Sequence, residues 1–157
     1  MNGPQSHDNR REKPAANSAL RGFDRHKFVL ARKSADLTVQ KLGQKAGVDR
    51  AAIHRWESGE CLPMVDSLSL VARALGTSIE QFLTVPDSER TLADLRVVAG
   101  LTQVQLAQRT GLTRKVLGGL ERGGSVMDEN RAAALADVFK IPAQAVRDAH
   151  IRSTLTE

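Results

Sequence analysis

The sequence contains no tyrosine, four phenylalanines and one tryptophan, so aromatic residues make up only 3% of it. Sheets draw on aromatic and β-branched side chains, whereas the periodic segments here are built from Ala, Leu, Val, Arg and Gln, which favour helices. This scarcity argues against a sheet and predicts an all-α fold. The lone cysteine, Cys61, has no partner for an internal disulfide and none of the neighbours that a zinc site needs. Lying between Gly59 and Pro63, it reads as a small loop filler. No apolar run reaches the roughly 20 residues of a membrane-spanning helix, and no signal-peptide core is present. A cytoplasmic protein is expected. His7, His26, His54 and His150 stand at no ligand-like spacing, and there is neither a glycine-rich phosphate loop nor a nucleophile motif. Metal, cofactor and enzymatic activity are therefore not expected.

Against these absences stands an internal repeat. The segment from Leu37 to Arg50 recurs 64 positions later from Leu101 to Arg114, sharing Leu, Thr, Gln, Gly and Arg at matched places. The same offset carries Arg32 to Arg96, Glu57 to Glu121, Gly59 to Gly123 and Ala72 to Ala136. A duplicated small domain follows, with four expected segments: a disordered basic arm over 1–21, a first unit over 22–85, a second over 86–149, and a tail over 150–157. The formal net charge of +5 makes polyanions natural partners, although the excess is spread thinly over the chain. The arm carries Arg10, Arg11 and Lys13 between Pro4 and Pro14, a composition suited to a solvated segment lying along phosphates.

Each unit is expected to hold five short helices. In the first, Phe28 and Ala31 mark one helix, Thr38 caps a second, Gly47 breaks the chain, and Asp49 caps a third that ends at Gly59. Leu68, Val71, Ala72 and Leu75 form the fourth stripe, and Ser78 to Gln81 reads as a capping box opening a fifth. The second unit repeats the plan with Leu92 and Leu95, a capping box from Thr102 to Gln105, Gly111, Thr113, the stripe of Leu135, Val138 and Phe139, and a thinner last helix after Pro142.

Two short helices around a glycine turn, the second with a polar face, suit docking in a DNA major groove. Leu37-Thr38 through Leu42, Ala46-Gly47-Val48, Ile53, Trp56-Glu57 and Gly59 resemble the Cro/phage-repressor (XRE) helix-turn-helix family. So do Leu101-Thr102-Gln103 through Leu106-Ala107, Thr110-Gly111-Leu112, Leu117 and Leu120-Glu121-Arg122-Gly123 in the second unit. The resemblance implies two tandem five-helix, lambda-repressor-like domains and double-stranded DNA as the partner. It further implies base contacts from Arg50, Ala51 and Arg55 in the first unit and from Arg114 and Lys115 in the second. Arginine bonds guanine O6 and N7 bidentately, and alanine packs on a thymine methyl. Thr38, Gln40, Lys41, Thr102, Gln103 and His54 are the expected phosphate contacts. The pairs Arg32–Glu57 and Arg96–Glu121 are expected structural salt bridges, and Trp56, sharing a face with Ile53, is expected in the core.

The second copy departs from the pattern at Gly118-Gly119, which removes the side chain that the first copy offers as Arg55. Two glycines inside a helix cost about 1.6–2 kcal/mol relative to alanine. The expected function is a nucleoid-associated transcriptional regulator, a repressor, that reads specific DNA. The alternative is a protein-interaction module, an antitoxin or bridging coactivator, whose second unit binds a protein. A homodimer stays open beside it. No effector-binding domain is expected after residue 149.

Overall fold

The computed structural model describes residues 20–155. Among these the protein is all-helical, with two units in tandem and no strand beyond one isolated bridge. The first unit contains α1 (Arg25–Ser34), α2 (Val39–Ala46), α3 (Arg50–Ser58) and α4 (Val65–Ala74), then a 3-10 turn at Ile79–Phe82. After a second 3-10 turn at Asp87–Glu89 come α5 (Leu92–Val98), α6 (Gln103–Thr110), α7 (Arg114–Glu121), α8 (Glu129–Phe139) and α9 (Ala143–Leu155).

The helix boundaries follow their caps. Side chains of Asp24, Thr38 and Asp49 accept from first-turn amides of α1, α2 and α3, satisfying donors with no intrahelical partner. Gly47 and Gly59 close α2 and α3 at φ 70° and 80°, a left-handed conformation that glycine adopts without steric penalty. In the second unit Thr102 and Gln105 form a complete capping box, and Thr113 caps α7.

Three sequence expectations change. Ser78 makes no side-chain cap bond, and the first unit's fifth helix is a single 3-10 turn. The chain leaves that turn extended because Thr84 donates to the Gly22 carbonyl at 2.9 Å and Asp24 to the Phe82 carbonyl at 2.8 Å. The folded part also begins within the expected arm: Leu20 is buried in the first core, and Arg21 is ion-paired to Asp94 at 2.5 Å. The rest of the arm, residues 1–19, lies outside the described residues. At the other end, the expected tail continues α9 as far as Leu155. The buried Ser153 Oγ accepts from the Leu92 amide at 3.1 Å, satisfying a free donor at the start of α5, and Arg152 donates to the Arg90 carbonyl at 2.7 Å.

Each unit has its own core. Phe28, Leu42, Ile53, Leu68, Val71 and Phe82 fill the first, with Trp56 and Phe82 meeting the Phe28 ring edge-on at centroid distances of 6.0 and 5.4 Å. Leu106, Leu117, Leu120, Leu135 and Val146 fill the second. One member of the first core comes from the second unit: Val97 on α5. Around it, Arg90 pairs with Glu80 at 2.9 Å, and Gly100 approaches so closely that an added Cβ would lie 2.9 Å from Ser69 Oγ. Asp94 holds the Arg21 guanidinium's pKa above its ordinary value through their hydrogen bond. The two units are docked through apolar contact and ion pairs.

Candidate nucleic-acid interface

The α2–α3 pair is tight because Gly43 leaves room for the turn: a Cβ there would lie 2.6 Å from the Val48 carbonyl oxygen. Ile53 and Trp56 anchor one face of α3 in the core. That packing leaves Arg50, Ala51, His54 and Arg55 exposed on the other face, as helical periodicity requires. Thr38, Gln40 and Lys41 are exposed at the start of α2. The structure thus brings all seven of these expected site residues to the surface of one helix pair.

Arg32 ties this pair to α1, donating from Nε to Glu57 at 2.7 Å and from Nη1 to the Leu37 carbonyl at 2.9 Å. Sequence inspection missed Arg25, whose guanidinium donates to the Ser58 carbonyl at the end of α3. A cation there opposes the negative end of the helix dipole.

The second helix pair, α6 and α7, is arranged likewise. Arg114 and Lys115 are exposed on the first turn of α7, and Thr102 is half-buried at the start of α6. Arg96 is almost completely buried and donates to Glu121 from Nε at 2.5 Å and from Nη2 at 3.3 Å, with Nη1 on the Leu101 carbonyl at 3.0 Å.

A family model described as Helix-turn-helix matches residues 30–82, and a second, described as Helix-turn-helix domain, matches residues 90–149. The chain belongs to the helix-turn-helix family, in two tandem copies. No curated protein matches it significantly. The two matches contain both helix pairs, and the tandem helix-turn-helix protein is a DNA-binding regulator in general character. Among its described residues no helix is long and apolar enough to cross a membrane.

The two helix-turn-helix copies are unequal. Gln103, expected to face a phosphate, is buried, and its Nε2 donates to Glu121 Oε2 at 2.8 Å. The carboxylate already holding Arg96 captures the amide, so Gln103 serves the scaffold. Gly118 and Gly119 are both buried on α7 rather than open to solvent. A Cβ on Gly119 would lie 2.1 Å from Ser125 Oγ, so the loop after α7 covers the second turn. The backbone does not impose this cover. Gly124 and Ser125 amides bond the Gly119 carbonyl just as Glu60 and Cys61 amides bond that of Arg55. The first copy holds an arginine in the same backbone frame.

Proposed function

We propose that this protein is a sequence-specific transcriptional regulator, a repressor, that reads the major groove with α3 and α7. Arg50, Ala51 and Arg55 address base edges from the first copy, and Arg114 and Lys115 from the second. Thr38, Gln40, Lys41, His54 and Thr102 lie along the phosphates, where helix N-termini offer free amides. The observation that carries this reading is the matched first turn of the two recognition helices: Arg50 and Arg114 occupy the same register, each next to a side-chain cap and exposed. Two heads on one chain supply two half-site contacts without a dimer.

The test compares Arg50→Ala/Arg55→Ala with Arg114→Ala/Lys115→Ala on genomic fragments at fixed salt. Each should lose site-specific affinity, and the footprint should shorten when one head is disabled. Unchanged affinity in both variants refutes DNA reading. A second reading gives the second unit a protein partner, and it draws on the exposed Val126, Ile151 and Leu155. Loss of affinity confined to the first variant, together with a stoichiometric partner in co-purification, would favour it.

A further inference from the structure

We propose that Arg122 adds a further cation to the DNA-facing side of the second recognition helix, its guanidinium lying over Gly118, the position that His54 holds in the first copy. This rests on the reading of α7 as a DNA-facing helix. Gly118 and Arg122 are four residues apart, so they lie one above the other on the same helical stripe. Long side chains on a helix lean toward its N-terminus. The Arg122 side chain does so. Its Nη1 lies 3.1 Å, and its Cζ and Nη2 3.8 Å, from the point a Cβ on Gly118 would occupy. A Cβ at that point would crowd the guanidinium and push it aside by a few tenths of an ångström.

The offset between the copies makes the exchange explicit. His54 and Ser58 of α3 correspond to Gly118 and Arg122, so a bulky group followed by a small one has become the reverse. A bulky side chain thus covers the same place on the helix in both copies, from that position itself in the first and from one turn later in the second. A purely structural cation at the helix end would reach the last carbonyls of α7. Arg122 instead runs back along the helix, and its guanidinium has no hydrogen-bond or ion-pair partner among the described residues. An exposed, unpaired guanidinium held against a helix suits a phosphate oxygen or a guanine edge.

The experiment measures equilibrium binding of the full chain to its footprinted site across a salt series, for wild type, Arg122→Ala, Gly118→Leu and the double variant. Each single change should weaken binding about five- to tenfold, Gly118→Leu by displacing the guanidinium, and the double should be no weaker than either. A phosphate contact lowers the salt slope by about 1 on every sequence, whereas a guanine contact relaxes selectivity at one base pair. Either result supports the proposal. Wild-type affinity in Arg122→Ala, alongside loss in Arg114→Ala/Lys115→Ala, overturns it and leaves the reading of α7 intact. Unchanged affinity in both removes that reading as well. A melting temperature that falls in step with affinity assigns Arg122 a structural role and also overturns the proposal.

Discussion

Glu121→Gln should destabilise the protein by about 2 kcal/mol more than Glu57→Gln, although the two positions correspond in the repeat. The side chains of Arg96 and Glu121 are 1% and 5% exposed, against 13% and 12% for Arg32 and Glu57. Glu121 accepts from two nitrogens of Arg96 and from Gln103. Neutralising it strands a guanidinium that water barely reaches, and breaking such a buried pair costs about 3–5 kcal/mol. At the first pair water replaces part of the lost contact, and a charged hydrogen bond there is worth about 1.5–3 kcal/mol. A unit of this size is stable by only about 3–10 kcal/mol, so Glu121→Gln brings the second unit close to unfolding. Val97 would then leave the first core. Urea denaturation followed by both circular dichroism and Trp56 fluorescence separates the units, because the only tryptophan belongs to the first. Equal losses for the two variants, or a larger one for Glu57→Gln, would refute the reasoning.

Val97→Ala should lower the stability reported by Trp56 by about 2 kcal/mol, from lost methyls and the cavity left behind; an unmoved Trp56 transition shows that the units are not docked as described. Ser153→Ala removes the acceptor for the Leu92 amide and should cost the second unit about 1–3 kcal/mol, measured by circular dichroism in urea. If the second-unit transition stays in place, α9 does not secure α5. Gly119→Ala should be neutral or destabilising alone, because the new Cβ meets Ser125, but should stabilise by about 1 kcal/mol in a Ser125→Gly background. Equal effects in both backgrounds, read from melting curves, would show that the loop does not crowd this turn.

The helix pairs and their scaffold were legible because their causes are local. Thr38, Asp49, Thr102 and Thr113 cap the helices they immediately precede, and Gly47 and Gly111 end helices by their own backbone conformation. The surface of α3 was equally readable, since Ile53 and Trp56 determine which side Arg50 and Arg55 must occupy. Less visible were Ser78, whose expected helix yields to pairing with residues 22–24, and Gln103, whose partner Glu121 lies 18 residues away. Both outcomes depend on groups distant in sequence.

By itself, then, the sequence determined the duplication, the helix pairs and the register of Arg50 and Arg114, all of which follow from spacing and side-chain chemistry within a few residues. Only tertiary structure decided that Val97 completes the other unit's core, that Leu20 and Ser153 belong inside the fold, and that Arg122 lies over Gly118. Periodicity tells which face of a helix is apolar, but not what packs against it. That depends on where the chain returns in space, and here the two copies return differently.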